Sequence, residues 1–187
     1  MLKHFRINNM GVSETTYLSY LTEKDAESLS SLMVANKERF QRYFPKTLAQ
    51  NLSIFDAKSY IQKKAQEQKN KIEFTLAIKE TTSQLVAGLV ILKDIDWNNK
   101  EGELAYCIGE NFEGKGLMTK AIIEISKTAF SEIQLSTLKI IVHKSNLASI
   151  RVAEKTGFIW KKTLLKEYTP PGESPLDMEL YELERKN

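Results

Sequence analysis

Cysteine is nearly absent. Cys107 is the only one in 187 residues, so no internal disulfide can form and a stapled secreted scaffold is excluded. Long hydrophobic runs are absent too. The longest clean run, LVAGLVIL from Leu85 to Leu92, falls far short of the ~20 residues that a bilayer span needs. The N-terminal MLKHFRINNM has no apolar h-region and no small-residue cleavage site, so no secretory signal is expected. No internal repeat and no low-complexity tract divides the chain. Together these absences predict a cytoplasmic protein, not bound to membrane, folded as a single domain over residues 1–187. A hydrophobic content of 42% is enough to build a full core at this size.

The net charge is only +3, but it is unevenly spread. Between residues 139 and 166 stand Lys139, Lys144, Arg151, Lys155, Lys161, Lys162 and Lys166, opposed by Glu154 alone. From Glu173 onward acids outnumber bases. Such a basic stretch either meets phosphate or is a solvated face. It has no aromatic interleaving and no nucleic-acid motif, so direct nucleic-acid binding is not expected.

TTYLSYLT, from Thr15, alternates as a strand does. Thr22 and Asp25 then form a capping-box pair, and Ala26, Leu29 and Met33 continue at helical spacing. A short second helix is expected to hold Arg39, Phe40 and Tyr43 and to stop at Pro45. A third is expected from Ala57 to about Gln68. Ile72 to Lys79, Leu85 to Ile95 and Gly102 to Ile108 read as a three-stranded meander, with its clearest turn at Asn98 and Asn99. Met118, Ile122, Ile125 and Ala129 then mark the buried face of a helix. A strand from Leu138 to Val142 follows, then a helix from Asn146 to Thr156 closed by Gly157. Strands from Phe158 to Leu165 and from Asp177 to Leu183 complete an α/β (α+β) pattern.

Two stretches carry chemistry. The first is GENFEGKGLMT, from Gly109. It follows the triphosphate-loop pattern through Gly114 and Lys115, but Gly116 replaces the hydroxyl residue that would hold Mg²⁺. No metal-binding Asp ends LKIIV, which runs into His143, and the third glycine of a dinucleotide fingerprint is replaced by Thr119. What remains is a strand–glycine–helix junction able to hold phosphate on backbone amides without metal, or an ordinary tight turn. The second stretch is HKSNLASIRVAEKTGF, from His143. Asn146, Ser149 and Ala153 share one face at a helix start, where polar residues either line a site or cap the helix.

Taken together, the two stretches resemble the GNAT superfamily of acetyl-CoA-dependent N-acetyltransferases, over roughly Leu89 to Leu183. Gly114 and Gly116 match the glycines of its [QR]-x-x-G-x-[GA] pyrophosphate loop, with Asn111 departing from the usual Gln or Arg. GELAYCIGENFEGKGLMTKA is similar to the ribosomal-protein N-acetyltransferases within it. The resemblance implies a mixed, mostly antiparallel, strongly twisted sheet of about seven strands with four or five helices. It implies acetyl-CoA as co-substrate, no metal, and an amine acceptor such as a protein N-terminus. A homodimer is compatible with it. It carries cofactor contacts onto Ile108, Phe112, Gly114, Lys115, Gly116, Leu117, Met118, Thr119, Asn146, Ser149 and Lys155.

An amine attacking a thioester needs a base for its proton, N–H donors for the oxyanion and a partner for the departing thiolate. Many relatives place a tyrosine for the last role in L-Y-x-x-x-G-F. Here Val152-Ala153 stands there, so Ser149, one turn earlier, is the candidate. Asn146 is expected beside the pantetheine arm, or as a helix cap. For the base, Glu103 and Glu167 are candidates, each also readable as a surface glutamate, and the subfamily resemblance favours Glu167. Cys107, mid-strand with no base beside it, reads as inert. Phe40, Tyr43 and Phe44 serve either the acceptor side or the core. Two other readings stay open: acetylation of a small amine, and a non-catalytic acyl-CoA-binding module.

Overall fold

The computed structural model describes residues 9–186. The N-terminal stretch that lacks an h-region lies mostly outside them. Eight strands form one sheet: β1 (Met10–Ser13), β2 (Thr16–Tyr20), β3 (Phe74–Glu80), β4 (Val86–Asp96), β5 (Glu101–Ile108), β6 (Thr137–Val142), β7 (Ile159–Tyr168) and β8 (Leu176–Glu184). Their order is β1-β2-β3-β4-β5-β6-β8-β7. Every neighbouring pair is antiparallel except β5 and β6. Six α-helices accompany it among the described residues: α1 (Ala26–Ala35), α2 (Lys37–Phe40), α3 (Pro45–Ala49), α4 (Ile54–Lys69), α5 (Leu117–Ser131) and α6 (Leu147–Lys155).

The period-two alternation of the central strands divides the core. Leu76, Ile78, Val90, Leu92 and Leu104 face one side, where they pack with Met118, Ile122, Ile125 and Ala129 of α5. Ala77, Leu89 and Cys107 face the other side, under α1 and α4. Ile122 and Ile125 are fully buried. Truncating either to alanine would cost about 2–5 kcal/mol.

Local signals set the helix starts. Thr22 N–H donates to Asp25 Oδ2 at 2.6 Å, completing the expected capping box, though the box heads a 3-10 turn before α1. Ser53 Oγ accepts from Asp56 N–H at 3.1 Å and caps α4, which begins three residues before the expected Ala57.

The expected sheet of about seven strands is present with one strand more, β1, a four-residue edge too short to show alternation. One expectation is corrected. Pro45 does not simply stop a helix. It occupies the first turn of α3, where its missing N–H costs nothing, and Tyr43 falls in the turn between α2 and α3.

The feature that makes a site is the one parallel pair. β5 and β6 match register only at Glu101–Thr137, Gly102–Leu138 and Glu103–Lys139. Beyond Glu103 the strands part. A cleft of about 340 Å³ opens where they separate, lined by Leu104 and Tyr106 from β5 and Ile140 and Val142 from β6.

Candidate active site

The glycine loop begins at the C-terminal end of β5. Phe112 closes a 3-10 turn and packs against the core. Gly114 and Gly116 then adopt φ of +72° and +70°, and a Cβ built on either would meet nothing within 4 Å. Left-handed backbone costs an L-residue about 1–2 kcal/mol, so glycine is favoured at both. Gly116 is the N-cap of α5, and no side chain caps that end. The amides of Leu117, Met118 and Thr119 belong to the first turn and have no acceptor within the helix. The loop therefore points unsatisfied donors and the positive end of a helix dipole into open space. This backbone fits a diphosphate. Lys115 Nζ is turned back to the Asn111 carbonyl at 2.9 Å, so its charge helps to brace the loop.

A buried asparagine anchors the loop from below. Asn36 donates to the Leu32 carbonyl at 2.8 Å and accepts from Glu110 N–H at 2.9 Å. Arg39 adds an ion pair to Glu113. A second cleft, of about 480 Å³, runs beside the loop past Ile108, Glu113, Met118, Ser145, Asn146 and Ser149.

Asn146 caps α6, accepting from Ser149 N–H at 3.2 Å. The capping role is thus real, and it coexists with a place in the cleft wall. Ser149 is half-buried in the cleft wall, and its side chain lies beside the Tyr106 hydroxyl. Tyr106 OH donates to the Ser149 carbonyl at 3.1 Å and ties β5 to α6. Burial pushes the Tyr106 hydroxyl well above its ordinary value, so it stays protonated. Asn146, Ser149, Tyr106, Tyr43 and Phe44 line both clefts, so the two cavities adjoin at these residues.

The first cleft is charged. Glu103 lies in the first cleft, paired with Lys93 at 2.7 Å. Burial raises its carboxyl above the ordinary range despite the pull of Lys93, and Asp94 and Glu167 add to the rise. Lys93 also pairs with Asp94 at 2.6 Å. Glu167 is exposed on the same cleft and forms no ion pair among the described residues. Tyr168 OH donates to the Arg42 carbonyl at 2.7 Å. Arg42 in turn grips Glu173 with two bonds of 2.8 and 2.7 Å.

The structure brings Glu103, Glu167, Asn146 and Ser149 to one cleft and leaves Lys155 exposed at the end of α6, lining neither cavity. Cys107 is buried and its thiol is pushed up to about 12, chiefly by burial, which leaves it no nucleophilic role. Of the aromatics, Phe40 is buried while Tyr43 and Phe44 line both clefts. Two residues escaped sequence reasoning. Tyr106 looked like one more alternating strand residue. His143 accepts from Ser145 Oγ at 2.7 Å or donates to it, and stacks on Tyr43 with ring centroids 6.1 Å apart. Its position just past an apolar strand end was the only signal.

The model of the acetyltransferase (GNAT) domain matches residues 16–159. The chain belongs to the GNAT acetyltransferase family. Its class of chemistry is therefore acetyl-CoA-dependent N-acetylation. YdaF of Bacillus subtilis (strain 168), whose name proposes a ribosomal N-acetyltransferase, is 30% identical over 79% of this chain and 80% of its own. The microcin C7 self-immunity acetyltransferase MccE, solved with acetyl-CoA and AMP, superposes with a TM-score of 0.84 at 27% identity, covering 97% of this chain and 99% of that one. A ribosomal-protein-S5-alanine acetyltransferase from Vibrio fischeri shares the fold, with a TM-score of 0.88 at 16% identity over 96% and 98% of the two chains. Among the described residues no helix is long and apolar enough to cross a membrane, and no cluster of three or more His, Cys, Asp or Glu could hold a metal.

Proposed function

We propose that this protein acetylates the N-terminal amine of a protein, a ribosomal protein being the favoured acceptor, by direct attack of the amine on acetyl-CoA in a ternary complex. The observation that carries this reading is the meeting of the two clefts at Ser149, Asn146 and Tyr106. The similarity to YdaF supports the acceptor class. The work is then cytoplasmic, and one domain suffices for it.

When bound, acetyl-CoA supplies the electrophilic thioester. The amides of residues 114–119 hold its diphosphate, and Ile108, Phe112 and Met118 flank the arm. Lys155 meets charge only at the cofactor's outer end, since it lines neither cleft. Asn146 orients the arm while its Oδ1 caps α6. Ser149 Oγ, beside the Tyr106 hydroxyl at the meeting of the clefts, donates to the departing sulfur. A cationic amine enters a cleft whose carboxylates, Asp94, Glu103 and Glu167, outnumber Lys93. Glu167, with no ion-pair partner, takes the amine's proton through water. Glu103 stays with Lys93 and sets the local field.

A second reading is acetylation of a small-molecule amine, favoured by the near-complete match to MccE. Acetyl-CoA turnover against serine- and alanine-starting peptides, the same peptides with blocked N-termini, and spermidine decides between them. Turnover of free but not blocked peptides is expected. Turnover of spermidine alone would select the second reading. No turnover of any amine, with acetyl-CoA still bound, would leave a non-catalytic binding module.

A further inference from the structure

Glu167 and Tyr168 are consecutive, yet both line the acceptor cleft. In a regular strand successive side chains point to opposite faces, so one of the two should turn away. The register of β7 against β8 explains why neither does. Leu164 pairs with Met178 and Tyr168 with Leu176, so β7 spends four residues where β8 spends two. The surplus is a bulge around Lys166, whose φ is +52° although it is not glycine. A backbone forced out of the ladder loses its strand partner, and here a side chain replaces it. Lys166 N–H donates to Asp177 Oδ1 at 2.8 Å.

The opposite wall repeats the device. Lys93 and Asp94 are also consecutive and also both line the cleft. Between the pairs Lys93–Glu103 and Asp96–Glu101, β4 carries one residue more than β5, and Asp94 has a φ of +48°. Both walls of the parted sheet thus present adjacent polar side chains by the same means. Only the β7 bulge is pinned by a carboxylate from the neighbouring strand onto the backbone of the bulged residue.

We propose that Asp177 is a positioning residue for acetyl transfer. By fixing the Lys166 bulge it holds Glu167 and Tyr168 together toward the acceptor. This rests on the proposed reading of that cleft as the acceptor site. Asp177 is exposed and lines neither cleft, so it acts through Lys166 and touches no substrate.

Two measurements test the assignment. The first is amide hydrogen exchange at Lys166, which needs no acceptor. Protection should be present in the wild type, lost in Asp177→Ala and kept in Asp177→Asn, whose amide oxygen accepts the same bond. The second is steady-state kinetics with the best acceptor from the amine panel. Asp177→Ala should lower kcat/KM for the acceptor by about three- to tenfold, on the scale of one modest hydrogen bond, with KM for acetyl-CoA unchanged. Asp177→Asn should restore the wild-type value. Deleting Lys166 while keeping Asp177 removes one of the two surplus residues together with the pinned amide, and should lower acceptor kcat/KM further. If Lys166 exchange is the same in all three proteins, the pin does not exist. If exchange changes but acceptor kcat/KM does not, or if KM for acetyl-CoA moves equally, Asp177 is structural only. If the wild type acetylates no amine, the exchange result still stands and the acceptor reading has failed instead.

Discussion

The two sides of the proposed active site are built from different materials. The cofactor side is backbone: two glycines at positive φ, an uncapped helix start and an asparagine that pins the loop from below. The acceptor side is side chains drawn from β4, β5, β6, β7, β8, α6 and the turn after α2. On the proposed reading, backbone amides recognise what every acyl-CoA shares, and side chains from seven places recognise what differs between acceptors. One site can therefore keep its donor while exchanging its acceptor, and substitutions on the two sides should separate cleanly in the kinetics.

The sharpest break in that comparison lies at the junction. Ser149→Ala should lower kcat by about 10²-fold, the scale of a lost acid–base partner, and leave the Kd for acetyl-CoA within about twofold. The Ser149 amide, not its hydroxyl, bonds Asn146. Melting temperature should therefore hold, and a normal kcat would remove Ser149 from the chemistry. Next in size is Gly116→Val. The Cβ enters open space, so the fold survives with a loss of about 1–2 kcal/mol for left-handed backbone. Calorimetry should show acetyl-CoA binding weakened about tenfold or more, with acceptor KM unaffected.

How much of this was legible follows the same division. The glycine loop was legible as a strand–glycine–helix junction, fit for phosphate or an ordinary tight turn, with Gly116 excluding the Mg²⁺ loop and Thr119 the dinucleotide fingerprint; the junction itself is what the fold shows. α5 was legible from its apolar period, and every expected core position proved buried. Ser149, Asn146, Glu103 and Glu167 were found as residue types, and the fold brings them to one cleft. What could not be read is how they converge. The parting of β5 from β6 depends on a register that stops at Glu103, which no local pattern announces. The bulges at Asp94 and Lys166 use residues with no intrinsic call for positive φ comparable to glycine's. Tyr106 and His143 gain meaning only from partners 43 residues and two residues away in sequence, at Ser149 and Ser145.

Smaller effects sharpen the acceptor side. Glu103 is held above the ordinary carboxylate range, chiefly by burial. The native state then binds this proton more tightly than the unfolded chain does. Its stabilising contribution is complete below the ordinary value and is lost as pH rises through the raised one. Glu103→Gln should therefore be no less stable than the wild type at pH 7, since Lys93 keeps Asp94 as a partner. Thermal melts of the two proteins at pH 4 and pH 7 check the sign. A variant that is destabilised more at pH 7 than at pH 4 would show that attraction to Lys93 outweighs burial. Tyr106→Phe should change least. It removes one hydrogen bond to the Ser149 carbonyl and costs about 1 kcal/mol of stability, with a modest loss of kcat as α6 loosens.

The most direct test follows backbone amides by NMR while the protein is titrated first with CoA and then with an acceptor peptide. CoA should shift the amides of residues 114–119, and the peptide should shift those around Glu103, His143 and Glu167. The two sets should overlap at Tyr106, Asn146 and Ser149. A CoA titration that leaves residues 114–119 unmoved, or a peptide that perturbs the same amides as CoA throughout, would contradict the division of the site into a backbone-built donor side and a side-chain-built acceptor side.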